Sequence, residues 1–110
     1  MTFREALVAI NPATGLTIDH YPVLDLDEID ASVLGCHRAH KAWEIVGFQQ
    51  RAELLQRLAG RLEDQRDDLA RLITGEMGKP LAEAGAEIDK CAWVCRYCAE
   101  SGEAFLRADE

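Results

Sequence analysis

Residues 91–98, CAWVCRYC, decide how the whole chain is read. Three cysteines stand there as C-x-x-x-C-x-x-C, with Tyr97 just before the last. As ligands they would hold an iron–sulfur cluster through their thiolates. As helix residues, Cys91, Cys95 and Cys98 fall at i, i+4 and i+7 and share one side. The helical reading extends in both directions. Ala84 and Ile88 begin the same stripe, and Gly102 and Phe105 continue it. Free cysteine packs as a small hydrophobe, so all three thiols are expected to be buried along this stripe.

Radical S-adenosylmethionine enzymes use this cysteine spacing, but there the thiolates converge from a loop on one cluster, inside a barrel of several βα units. Nothing between Leu81 and Leu106 breaks a helix, and the chain has strand signals for one hairpin only. The cysteines therefore read as packing residues, and no metal site is assigned. CHRAH, residues 36–40, offers zinc-ligand types, but Cys36 and His40 share an inner helical stripe rather than a knuckle, and His37 points partly away. His20 lies in a strand pattern without a partner in sequence and is expected to face solvent.

Upstream of the cysteine helix, Gly78 suits a left-handed helix stop and Pro80 a following start. This sets a third helix over 80–107. Before it, Leu55, Leu58, Leu62, Leu69, Leu72, Ile73 and Met77 line one side of a second helix over 48–77. A first helix over 25–46 starts with Asp25 and Glu28 at capping-box spacing, with Ile29, Val33, Cys36, His40 and Trp43 as its inner stripe. Residues 1–24 hold a β-hairpin whose turn is NPATG: Asn11 caps the bend, Pro12 presets φ, and Gly15 supplies a positive φ. The chain is thus a hairpin followed by three long helices, mostly α.

Two further patterns fail as sites. GEMGKP has two residues between its glycines where a phosphate loop needs four, and Pro80 stands where the magnesium-binding hydroxyl belongs. Glu63, Asp64, Asp67 and Asp68 crowd one stretch of the second helix and read as a solvated face. No G-x-G-x-x-G and no Ser, His and Asp arrangement occurs.

The bulk numbers agree with a small acidic domain or part of a larger one. The 110 residues carry 12 Lys and Arg against 20 Asp and Glu, a formal charge of −8, which disfavours nucleic acid as a partner. No apolar run approaches the roughly 18 residues of a membrane span. Four cysteines in a chain without a loop-rich disulfide framework point to reduced thiols and the cytoplasm.

INPATG, the run ending in Trp43, QRAELLQRLAGRLE, LARLITGEMGKPLAEAGAEI and CAWVCRYCAE, in that order, resemble the amino-terminal quarter of the NAD(P)-dependent aldehyde dehydrogenases. EMGKP and KCAWVCRYCAE resemble the succinate-semialdehyde dehydrogenase group most. The resemblance covers nearly the whole chain. It implies the amino-terminal part of an α/β fold, in which hairpin and helices open the cofactor-binding domain and lie against a Rossmann-like sheet that follows. Two departures stand out: the family typically has tyrosine where Cys98 stands, and a bulky apolar residue at His40.

The resemblance further implies oxidation of an aldehyde through a thiohemiacetal on a cysteine, with hydride passing to nicotinamide and a glutamate activating the deacylating water. None of those residues matches a position here. Cys36, Cys91, Cys95 and Cys98 correspond to no catalytic position, so no catalytic and no cofactor-binding residue is carried over. NAD or NADP is implied for the family, not for binding to these residues alone. Glu87 and Lys90 match positions near the mouth of the substrate entrance. The implied partners are the remainder of a dehydrogenase chain, or self-association through apolar helix faces, with a homo-oligomeric parent. Two other classes compete: a stand-alone acidic helical interaction module, and the iron–sulfur enzyme.

Overall fold

A computed structural model describes residues 6–108. The elements run β1 (Ala6–Ile10), β2 (Thr17–Pro22), α1 (Leu26–Trp43), α2 (Phe48–Asp64), α3 (Arg66–Met77) and α4 (Leu81–Phe105). They divide into two units, one through Val46 and one from Gly47. The first five residues of the expected hairpin segment lie outside the described residues.

In the first unit β1 and β2 pair antiparallel, Leu7 opposite Tyr21 and Val8 opposite His20, with one irregularity between Ala9 and Ile10. The turn is built by the chemistry of NPATG. Asn11 Oδ1 accepts from the Ala13 N–H at 2.9 Å, Thr14 Oγ1 accepts from the Leu16 N–H at 3.3 Å, and Gly15 takes φ 73°. The side-chain acceptors satisfy amides that the bend removes from the ladder. His20 is exposed, as expected.

Helix α1 opens on a complete capping box: Asp25 Oδ1 accepts from the Glu28 N–H, and Glu28 Oε2 from the Asp25 N–H, both at 2.9 Å. His40 and Lys41 close it where the helix dipole favours cations. The inner stripe expected on this helix is not buried. No α1 residue is buried, and Ile29, Val33 and Trp43 are exposed. The periodicity made the helix without burying its apolar side.

In the second unit, the single helix expected over 48–77 is two helices. They meet at Gln65, whose φ −99° and ψ 10° leave the helical region. Asp67 and Asp68 then fall in the first turn of α3, where the partial positive charge of a helix start stabilises them. Gly78 ends α3 at φ 71°, its N–H bonded to the Thr74 carbonyl at 2.9 Å, and Pro80 caps α4.

Helix α4 runs back along both. Near its start Asp89 reaches Arg66 of α3, and further on Arg96 reaches Glu63 and Gln56 of α2. The core beneath is small: Ala59, Ala70, Ala84, Ile88 and Ala92. Alanine at four of five positions lets the helix axes approach closely, as short side chains permit. Of the apolar stripe expected on α2 and α3, Leu55, Leu62, Leu69 and Ile73 are half-buried, whereas Leu58, Leu72 and Met77 are exposed. No helix among the described residues is long and apolar enough to cross a membrane.

Candidate functional site

Helix α4 carries most of the chemistry-bearing side chains, so its orientation decides what they do. It is regular throughout CAWVCRYC. The expected burial of the three thiols, however, is corrected: Cys95 is half-buried, while Cys91 and Cys98 are exposed. The buried line keeps Ala84 and Ile88 of the expected stripe but continues to Ala92, rotated by roughly half a residue, about 50°, from the line that joins the cysteines. Asp89 and Arg96 both face α2 and α3 in ion pairs, and Cys91 and Cys98 lie toward the opposite flank. All four cysteines are free thiols, and no three metal-ligating side chains converge among the described residues.

The first clamp was not legible in the sequence. The Arg66 guanidinium grips Asp89 in a fork, Nε to Oδ1 at 2.7 Å and Nη2 to Oδ2 at 2.9 Å. It lies directly on the backbone of Gly85, where a Cβ would stand 2.6 Å from Nη2 and 2.8 Å from Cζ. Hydrogen bonding from Arg66, helped by its charge, holds the Asp89 carboxyl below its usual range, and Asp89 likewise raises Arg66. A depressed carboxyl contributes stability that is complete above its unfolded value and is lost as pH falls through its folded value.

Gly85→Ala must push the guanidinium off Asp89. The alanine itself favours helix by about 0.5–1 kcal/mol, so net stability at neutral pH is a poor readout. The expected result is an upward shift of the Asp89 titration toward the ordinary carboxylate range, followed by NMR of its carboxyl carbon. An unchanged Asp89 titration would contradict the clamp.

The second clamp joins Arg96 to Glu63 and, at 3.0 Å, to Gln56 Oε1. Beyond it, Phe48, Ala52 and Leu55 of α2 and Cys98, Ala99, Gly102 and Leu106 flank a shallow groove of about 340 Å³. Cys98 stands at its edge, the position at which the family resemblance expects tyrosine.

Glu87 and Lys90 do not form a pair. Glu87 makes an ion pair with Lys79 from the α3–α4 connection, whereas Lys90 is exposed and makes no ion pair among the described residues. GEMGKP is not a phosphate cradle: Gly75 lies inside α3 and Gly78 is its left-handed stop. Gly85 is covered by the Arg66 guanidinium.

The family profile of the aldehyde dehydrogenase family matches residues 2–109. Succinate-semialdehyde dehydrogenase [NADP(+)] 1 of Mycobacterium tuberculosis is 43% identical over 94% of this chain and 22% of its own. The 3-sulfolactaldehyde dehydrogenase of Pseudomonas putida is 39% identical over 90% of this chain and 20% of its own. Among solved structures, succinic semialdehyde dehydrogenase from Streptococcus pyogenes in complex with NADP+ superposes with a TM-score of 0.85 at 27% identity, over 91% of this chain and 22% of that one. The chain therefore spans about a fifth of the length of the relatives it matches. With the profile running through hairpin and all four helices, the chain belongs to the aldehyde dehydrogenase family.

Proposed function

We propose that these residues are the amino-terminal portion of the cofactor-binding domain of an NADP-dependent aldehyde dehydrogenase acting on an aldehyde with an anionic tail, succinate semialdehyde first. The observation that carries this reading is the 43% identity to a succinate-semialdehyde dehydrogenase over 94% of the chain. The role of these residues is then scaffolding. They supply no nucleophile, no deacylating base and no dinucleotide site, and their partner is the remainder of a dehydrogenase chain in a reducing cytoplasm. The many exposed apolar side chains of α1 and α2 support such a partner, because isolated domains seldom leave so much uncovered.

Lys90 refines the substrate class. Succinate semialdehyde and 3-sulfolactaldehyde, named for two of the relatives, both carry an anionic group beyond the aldehyde. An exposed, unpaired Lys90 at the substrate mouth would attract that group, while Glu87, held by Lys79, would not repel it freely.

The test is a chimera in which residues 1–110 replace the matching segment of the Mycobacterium tuberculosis relative. It is expected to form NADPH from succinate semialdehyde with kcat/KM within about tenfold of the parent, whereas the 110-residue chain alone forms none. A soluble chimera that binds NADP+ without turnover would overturn the assignment. Within the chimera, Lys90→Ala is expected to raise KM for succinate semialdehyde about fivefold, the effect of ~1 kcal/mol of water-screened attraction. KM for uncharged butanal should stay unchanged. An unchanged KM for both substrates removes Lys90 from the mouth and leaves the scaffold reading standing.

A further inference from the structure

CAWVCRYC leaves three thiols that neither the core nor the arginine pairs use. Helix α4 is regular from Leu81 to Phe105, so Cys91, Cys95 and Cys98 stand on successive turns of one side. All are free. Cys91 and Cys98 are exposed, and Cys95 between them is half-buried. We infer that Cys95, with either neighbour, holds one soft monovalent metal ion, Cu(I), in a two-coordinate thiolate site.

Spacing decides what these sulfurs can do. Residues three or four apart on a helix have Cβ atoms about 5–6 Å apart. A disulfide needs about 3.5–4.5 Å, so neither Cys91 with Cys95 nor Cys95 with Cys98 closes one while the helix stays intact. A single metal atom is a longer bridge. With arms of about 2.3 Å, as in zinc thiolates, it spans sulfurs up to ~4.6 Å apart, a separation the two side chains reach without unwinding the helix. Cys91 and Cys98 are separated by about 10 Å of helix, beyond the span of one atom. No three metal-ligating side chains converge among the described residues, as that separation requires. Cys95 belongs to both pairs, so the helix takes one ion and not two.

The number of sulfurs also chooses the metal. Structural zinc fills four ligand positions and an iron–sulfur cluster draws on four thiolates, whereas Cu(I) is satisfied by two. Soft thiolate ligands select it over the harder divalent ions. Binding replaces two S–H bonds by two S–Cu bonds and releases two protons to solvent, with no change of oxidation state.

Anaerobic titration of the reduced 110-residue chain with Cu(I), in competition with the chelator bicinchoninate, tests the site. One ion per chain is expected to be retained, with two sulfur neighbours by X-ray absorption. Maleimide should then label two of the four thiols instead of all four. Cys36→Ser, Cys91→Ser and Cys98→Ser, singly, should each keep one ion. Cys95→Ser, and the double variant Cys91→Ser with Cys98→Ser, should each lower affinity by more than about 100-fold, since loss of a mere hydrogen-bond partner of a ligand already costs up to that much. Circular dichroism checks that the helices persist. Should Cys95→Ser unfold them, the double variant, at exposed positions, carries the test. No retention against the chelator, two ions per chain, one ion shared by two chains, a folded Cys95→Ser or double variant that binds like the parent, or equal retention of Zn(II) would each overturn the proposal. No turnover is measured, so the outcome is independent of the chimera's activity.

Discussion

Ile88→Ala is expected to unfold most of the second unit at room temperature. Ile88 is 7% exposed and is the one branched side chain in a core otherwise made of alanine. Truncating a buried isoleucine costs about 2–5 kcal/mol, because transfer energy is lost and a cavity remains. A scaffold this small seldom has more than about 3–5 kcal/mol to lose. The cavity term should be near its upper range. Ala84 and Ala92, one turn away on either side along α4, have no atoms with which to refill the space. Urea titration followed by far-ultraviolet circular dichroism measures the change, with Ile88→Val as a graded control at about 0.5–1.5 kcal/mol. An Ile88→Ala loss no greater than that of Ile88→Val would mean that α4 does not pack through this side.

The second large effect has the opposite cause. Ala59 of α2 is 0% exposed, between Gln56 and Glu63, which both bond Arg96 of α4, so the side of α2 that faces α4 has room for only a methyl group. Ala59→Leu adds three carbon atoms where there is no room, forcing off-rotamer side chains or separating the axes, at about 1–3 kcal/mol. Separation would also pull Arg96 away from Gln56 and Glu63. The control is Ala86→Leu on the same α4 but exposed, expected within about 0.5 kcal/mol of the parent. Equal midpoints for the two leucine variants would contradict the burial of Ala59.

Local chemistry was readable in the sequence and the facing of helices was not. NPATG and the Asp25–Glu28 box use side-chain acceptors two or three residues from the amides they satisfy, so their outcome is settled within one turn of chain. The stop at Gly78 is equally local. By contrast, the expected stripe through Ala84, Ile88, Cys91, Cys95 and Cys98 and the observed buried line through Ala84, Ile88 and Ala92 both satisfy helical periodicity, and they part only at the cysteines. The observed facing carries contacts between helices, Arg66 with Asp89 and Arg96 with Glu63, pairs separated by 23 and 33 positions that no spacing rule connects.

The break at Gln65 escaped for a similar reason. Neither glycine nor proline marks it, and it is visible only through the acidic first turn of α3 and the arginine turned toward α4. The unburied stripe of α1 shows the converse. A sequence can encode an apolar face without containing what covers it, and the match to about a fifth of the relatives' length fits that condition.

On the proposed function, none of Cys36, Cys91, Cys95 and Cys98 is the sulfur that bonds to an aldehyde. The direct measurement is NADPH formation from succinate semialdehyde by the chimera with Cys36, Cys91, Cys95 and Cys98 all changed to serine. The account predicts kcat within about twofold of the unsubstituted chimera, because none of the four sulfurs forms the bond to substrate. A folded, NADP+-binding quadruple variant whose turnover collapses by orders of magnitude would contradict it.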